Sequence, residues 1–322
     1  MKILVVGVGF MGDLHARTVH DSRFARLCGV VDVDPARSGA EGRALGVPAF
    51  TDLSDAIRET QPDAVIVATP DPAHRDPVTT VVEARLPVLV EKPLATSVAD
   101  AEAMAELAEK HNVRLMTGHL TRFFPRYVAV ADAVASGRIG KPVMVTTSTW
   151  GPRALGERVS ATTTPLWHFA IHDIDTLHWI TGGTIAEVDG AQLIESSSGA
   201  AAFSGTGVLS TGTAFHLAAG WTLPATAGPR WDMKAHGESG VVQATWSSDG
   251  VTVYTEESAE DPDCLGWPVM RGRIEGALRA EVEHFVTAVS GELPFAITPQ
   301  DAVAAVRAAA MLEKASSIRR VR

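Results

Sequence analysis

The sequence predicts an α/β protein: an N-terminal doubly wound parallel sheet over residues 1–119, then an α+β domain with an open, mostly antiparallel sheet over residues 120–322. Three observations carry this prediction. Residues 3 to about 118 alternate short β-branched runs with amphipathic stretches, and the runs are apolar on both faces, as strands covered by helices on each side require. After residue 140 the texture changes to alternating segments separated by Gly, Asp and Ser turns, the pattern of an antiparallel sheet. At 322 residues the chain also exceeds what a single core usually supports.

Taken in order, the strands expected in the first domain are Ile3–Val8, Leu27–Val33, Ala64–Thr69, Val88–Glu91 and Val113–Gly118. The helices between them are Gly12–Asp21, Leu53–Glu59, Val78–Ala84 and Ser97–Lys110. In the second domain, strands are expected at Val143–Trp150, Ile185–Ile194, Ala202–Ser210, Ala214–Leu223, Asp232–His236, Gly240–Trp246 and Gly250–Thr255. A helix over Leu166–Ile180 interrupts them, and Gly276–Ser290 and Pro299–Ser317 are helical, the last rich in alanine, with Pro299 near its first turn and expected to pack back toward the first domain. Gly151–Pro165, poor in apolar residues and holding several Gly, Thr and Pro, is expected to be a mobile loop.

A formal net charge of −10 and the lack of a Lys/Arg stripe speak against nucleic acid as a partner. The two cysteines, Cys28 and Cys264, form no metal spacing and no disulfide framework, which suits a reducing compartment. The Met1–Gly7 segment superficially resembles a signal peptide, but glycines at 7, 9 and 12 interrupt it and no small-residue cleavage site follows. With no stretch long and apolar enough to cross a bilayer, the expected location is the cytoplasm, away from membranes.

Gly7-Val8-Gly9-Phe10-Met11-Gly12 follows an apolar strand and opens a helix, and Asp32 stands twenty residues after Gly12 at the end of the next strand. That context makes a G-x-G-x-x-G pattern specific for a dinucleotide. Gly7 makes the tight turn, Gly9 admits the pyrophosphate to the backbone, and Gly12 lets helix and strand pack closely. The helix N-terminus presents free N–H groups and its positive dipole end to phosphate. Asp32 accepts the adenosine ribose hydroxyls and repels a 2′-phosphate, which favours NAD over NADP; Arg37 just beyond is the residue that would tolerate that phosphate. The first domain therefore reads as a Rossmann domain, with NAD as cofactor.

Further motifs follow in order: Ala68-Thr69-Pro70-Asp71-Pro72-Ala73-His74 after the third strand, Val88-Leu89-Val90-Glu91-Lys92-Pro93, Arg122-Phe123-Phe124-Pro125-Arg126-Tyr127, Gly137-Arg138-Ile139-Gly140-Lys141-Pro142, and Ile171-His172-Asp173-Ile174-Asp175-Thr176-Leu177-His178-Trp179. In that order they resemble the glucose–fructose oxidoreductase, inositol dehydrogenase and MocA family, from first strand to last helix, with Glu-Lys-Pro and His-x-x-Asp as the distinctive parts. The resemblance implies a C-terminal α/β domain whose open sheet pairs copies into homodimers or homotetramers, and a sugar or cyclitol substrate. It also implies that Lys92 reaches both the nicotinamide ribose and the reacting hydroxyl, that Thr69, Pro70 and His74 line the cofactor with Glu91 beside it, and that His172 is the catalytic histidine. The match breaks at His168, where inositol dehydrogenase-like members carry an aspartate.

The residue chemistry agrees. A Lys92 ammonium stabilises an alkoxide as charge develops, and a lysine at the end of a buried strand is otherwise unusual. His172 titrates near neutrality and can take and return a proton. On a helix His168, His172, Asp175 and Trp179 follow a four–three–four spacing and share one face. Three readings of His168 stay open: hydrogen-bond partner of His172, substrate contact, or metal ligand through the i, i+4 histidine spacing, although hydride transfer to NAD needs no metal. All seven tryptophans lie at or after position 150, most of them expected in the sheet core or at an oligomer interface; Trp167 and Trp150 are the ones placed near substrate, with Arg122 and Tyr127 reaching the cleft or packing on a helix surface. The leading function is an NAD-dependent dehydrogenase or reductase acting on a secondary alcohol or ketone of a sugar, sugar derivative or cyclitol. A glycoside-cleaving enzyme that oxidises its substrate transiently, and a non-catalytic NAD-binding regulator, are the competing classes.

Overall fold

A computed structural model describes residues 1–197, 199–225, 227–245, 253–254, 259–260, 265–291 and 293–321. Trp246, Cys264 and most of the expected strand Gly250–Thr255 lie outside the described residues. The chain forms two units, one built from Met1–Phe123 with Leu265–Val303 and the other from Phe124–Cys264 with Ala304–Arg322. Where the sequence reading drew one boundary after residue 119, the chain crosses between units more than once.

The parallel sheet of the first unit has six strands, β1 (Lys2–Val6), β2 (Arg26–Val31), β3 (Ala49–Phe50), β4 (Ala64–Val67), β5 (Val88–Glu91) and β6 (Leu115–Gly118). They pair in parallel in the order β3-β2-β1-β4-β5-β6. This is the strand order of a doubly wound dinucleotide-binding sheet, whose switch point lies between β1 and β4. Ile3, Val5, Ile66 and Leu89 are fully buried, as strands covered on both faces demand. The helices α1 (Phe10–His20), α2 (Pro35–Leu45), α3 (Leu53–Thr60), α4 (Arg75–Glu83) and α5 (Val98–Lys110) connect the strands. The sequence reading passed over α2, whose glycines weaken the helical pattern. It is set by Asp34, whose carboxylate caps the Ala36 and Arg37 amides, and by Pro35 in the first turn.

The second unit begins with α6 (Pro125–Ala135) and carries a mixed sheet. Its strands are β7 (Pro142–Pro152), β8 (Ile185–Ser196), β9 (Ala201–Leu209), β10 (Ala214–Leu223), β11 (Arg230–Gly237), β12 (Val241–Ala244) and a C-terminal strand, Ser316–Val321. Most neighbours are antiparallel, as expected. The pairs β7–β10 and β8 with Ser316–Val321 are parallel. Two expectations need correction. Gly151–Pro165 is not an irregular loop throughout, because β7 runs to Pro152 and a helix α7 (Arg153–Val159) follows. Gly156 makes α7 possible here, since a Cβ at that position would lie 2.2 Å from the Trp221 ring. The last helix also stops earlier than expected, at Ala315, and Ser316–Ser317 begin a strand.

Two long helices close the chain's return, α9 (Ala277–Val289) and α10 (Pro299–Ala315). Val282, Phe285 and Val286 of α9 join Ile3, Val5, Ala16 and Val19 in one buried cluster. A reciprocal cap starts α10, with the Thr298 amide on Asp301 Oδ2 and the Asp301 amide on Thr298 Oγ1. The helix Leu166–Ile180 expected from the sequence is two pieces, a π-helical turn Leu166–Ala170 and an α-helix α8 (Ile171–Thr181).

Candidate functional site

In the first unit, the glycine-rich turn connects β1 to α1. Gly7 has φ +80°, and a Cβ there would lie 2.7 Å from the Ala68 carbonyl oxygen and the Thr69 amide nitrogen. A Cβ on Gly12 would lie 1.8 Å from the Gly7 oxygen, so both positions exclude every side chain. Gly9 differs: it is extended, and a Cβ would enter open space. Gly9 is the N-cap of α1 and brings no side-chain cap, so the helix end is left to an external acceptor. Met11 is half-buried, while Phe10 is exposed at the mouth of the turn and meets Trp267 edge-on at 6.0 Å.

Asp32 is buried just past the end of β2. Its Oδ2 accepts the Val8 amide at 2.9 Å and its Oδ1 the Asp34 amide at 3.0 Å. Arg37, in the first turn of α2, brings its guanidinium to 3.4 Å from Asp32 Oδ2. A carboxylate offers roughly four acceptor directions, so these contacts leave room for ribose hydroxyls.

Thr69, half-buried, accepts His74 Nε2 at its carbonyl (2.9 Å), and its hydroxyl donates to the Ala73 carbonyl at 3.0 Å. Pro70 is exposed beside it. His74 is itself buried, and its Nδ1 lies 2.8 Å from the Pro93 carbonyl. One imidazole thus ties the loop after β4 to the segment after β5. Lys92, half-buried, begins that segment, and its amide donates to Glu91 Oε2 at 3.2 Å.

Glu91 points inward, where its Oε1 lies 2.7 Å from His15 Nε2. Burial pushes its carboxyl up, but the His15 hydrogen bond, the charges of His15 and Lys92 and the Lys92 amide outweigh it and hold it below its ordinary value. Arg122, expected near substrate, is buried in the turn after β6. Its guanidinium donates to the Ala296 carbonyl at 2.8 Å and lies 3.5 Å from Asp301, both within the first unit.

In the second unit, His172 and Asp175 are buried on α8, and the His172 ring packs against Trp231 at 5.2 Å. His168 lies in the π turn, against Phe169 (4.9 Å) and Trp221 (6.2 Å). The π turn runs directly into α8, so His168 stands one turn before His172. Tyr127 is buried on α6, and burial first, then the Asp173 and Asp232 carboxylates, push its phenol well above its ordinary value. Trp167 is buried, and its indole N–H donates to Glu313 of α10 at 2.8 Å. Trp150 alternates with the buried Thr147 and Thr149 along β7, which puts it on the opposite sheet face, over Gly220.

Several residues around these sites were missed. Asp173 is the carboxylate next to His172 on α8, buried among Ile171, Ile174 and Leu177, and its place in the His-x-x-Asp segment was visible in the sequence. Burial raises its carboxyl to about 8, against the Thr149 and Thr147 hydroxyls that pull it down, with Asp232 adding to the rise. His15, three residues past Gly12 among apolar positions, was a comparable signal.

Comparison with known proteins decides the family. Residues 1–119 match the oxidoreductase family with an NAD-binding Rossmann fold, and residues 127–243 match the GFO/IDH/MocA C-terminal domain. The inositol 2-dehydrogenase 2 of Saccharopolyspora erythraea is 32% identical over 306 residues, covering 91% of this chain and 86% of its own. The chain belongs to the GFO/IDH/MocA oxidoreductase family. The inositol 2-dehydrogenase of Rubrobacter xylanophilus is 39% identical over 190 residues, 57% of this chain and about half (53%) of that relative. A crystal structure of scyllo-inositol dehydrogenase from Lactobacillus casei, with NAD(H) and scyllo-inositol, shares the fold with TM-score 0.82 at 23% identity, over 98% of this chain and 96% of that one. As in other members of the GFO/IDH/MocA family, the cofactor is NAD. The residues fit it: open space beside Gly9, an uncapped helix end and the buried Asp32 carboxylate together suit a pyrophosphate followed by a ribose.

Proposed function

We propose that this oxidoreductase is an NAD-dependent dehydrogenase or reductase that acts on a secondary alcohol or ketone of a cyclitol or sugar derivative, with inositols the first class to test. The observation that carries this reading is the relation to an inositol 2-dehydrogenase across nearly the whole chain. When bound, NAD supplies the hydride acceptor. Lys92 then stabilises the developing alkoxide with its ammonium, and His172 takes the hydroxyl proton. His168 tunes that transfer in place of the aspartate that inositol dehydrogenase-like members carry.

The face of the mixed sheet that holds Trp150 also presents the half-exposed Thr146, Ser148, Ser204, Thr206 and His216. Small and polar, it suits pairing with a second copy into a homodimer or homotetramer, which light scattering after size-exclusion chromatography measures. Among the described residues, no helix is long and apolar enough to cross a membrane; we place the protein in the cytoplasm.

The test is a panel of inositol isomers, other cyclitols and sugars incubated with NAD while NADH absorbance is followed. Net NADH formation with a cyclitol supports the proposal. Activity confined to cleavage of glycosides without net NADH overturns it.

A further inference from the structure

Beneath the Glu-Lys-Pro segment lies a buried cluster that the proposed chemistry does not use. His15 comes from α1, Glu91 from β5 and Glu281 from α9, and one ligand atom from each lies within 4.8 Å of the other two. All are almost completely buried. His15 Nε2 is hydrogen-bonded to Glu91 Oε1, and Glu91 Oε2 accepts the Lys92 amide. On the other side, a Cβ on Gly118 of β6 would meet the Glu91 carboxyl at 3.4 Å, so the strand end packs closely on it. Neither oxygen of Glu281 has a hydrogen-bond partner among the described residues.

Two buried carboxylates this close cannot both ionise at low cost. Glu91 has the compensation: a hydrogen bond from His15, the Lys92 charge and the Lys92 amide. Glu281 has none of these, and burial, followed by repulsion from Glu91, pushes its carboxyl well above its ordinary value. The arrangement favours one carboxylate and one neutral acid over two carboxylates.

We propose that His15 and Glu281 are positioning residues for Lys92: His15 anchors the Glu91 carboxylate that holds the Lys92 backbone, and Glu281 acts as a neutral acid that keeps a second negative charge away from it. This rests on the reading above in which Lys92 acts on substrate. Deprotonating Glu281 would set it against Glu91 and disturb the strand end from which Lys92 projects. It also joins three features of one unit, because His15 sits on the helix that starts at the glycine turn.

The experiment has two independent parts. The infrared difference spectrum at neutral pH between wild-type holoenzyme and Glu281→Gln should show the carbonyl band of a buried protonated carboxylic acid, the separate Asp173 band cancelling because both proteins keep it, and the Glu281 band should be retained in Lys92→Met. In kinetics, Glu281→Gln should keep kcat within a fewfold at neutral pH and extend activity to higher pH, since the amide cannot ionise. His15→Leu should lower kcat on the order of 10- to 100-fold, as a misplaced reacting group does, with KM for NAD nearly unchanged and partial recovery in His15→Gln. If the band is absent, or if the Glu281→Gln pH profile matches wild type, the proposal falls. Stoichiometric metal in the purified protein that is lost in His15→Leu also overturns it. Should Lys92→Met prove as active as wild type, the role of Lys92 fails, while the infrared band still decides the protonation of Glu281.

Discussion

The Asp32 carboxylate accepts the Val8 amide hydrogen at 2.9 Å. One acidic side chain therefore ties the turn after β1 to the end of β2 and, in the proposed complex, meets the adenosine ribose. The two jobs separate in a substitution. Asp32→Ser should raise the ratio of kcat/KM with NADP to that with NAD by about tenfold or more, because a repelling charge is removed while Arg37 stays. It should also lower the melting temperature, since the Val8 and Asp34 amides lose a charged acceptor worth about 1.5–3 kcal/mol per hydrogen bond. Steady-state kinetics with both cofactors and a thermal melt check the two effects; an unchanged cofactor ratio would refute the first.

Lys92→Met should leave the fold intact by circular dichroism and suppress kcat on the order of 10³-fold, with NAD affinity reduced far less. Its backbone hydrogen bond to Glu91 survives the substitution, so a large loss reports on the ammonium itself. Activity within a fewfold of wild type would assign Lys92 to cofactor holding alone.

His172→Asn should remove most activity. His168→Asn should retain part of it with an altered pH dependence of kcat, as expected if the residue one turn before His172 takes part in the proton transfer. The measurement is a pH–rate profile for each variant. A change confined to KM in His168→Asn would make His168 a substrate contact.

Asp173 predicts a pH dependence of stability. Its carboxyl is raised from 3.8 to about 8 by burial, so the folded protein keeps a proton that the unfolded chain releases. The sign follows from linkage: this contribution is fully present below pH 3.8 and is lost as pH rises toward about 8. Asp173→Asn, which cannot ionise, should match wild type near pH 4 and exceed it near pH 8, by on the order of a few kcal/mol. Urea midpoints across that range test it, and equal slopes for the two proteins would refute it.

Local patterns were the legible part of this molecule. The glycine turn, Asp32 and the β1–α1–β2 run could be read because their spacing is set by one strand and one helix turn. The sheet pairings were less legible. The parallel pair of β7 with β10 joins segments far apart in sequence, and the C-terminal strand was absorbed into an alanine-rich helix whose pattern runs straight into it. The π turn at Leu166–Ala170 leaves no mark on residue periodicity. His15 and Glu91 meet across 76 positions, and Glu281 joins them from much farther along the chain. No periodicity in a sequence reports such a meeting, although a buried polar residue on an apolar face marks where one end of it lies.

The return of Leu265–Val303 to the first unit has a consequence for synthesis. A ribosome finishes β6 long before it makes α9, and until then Ile3, Val5, Ala16 and Val19 lack the cover of Val282, Phe285 and Val286. At typical elongation rates that gap is roughly 10–40 s. During it the nascent chain offers an apolar surface on which chaperones can act, and translation halted in the second unit would leave that part of the Rossmann core uncovered.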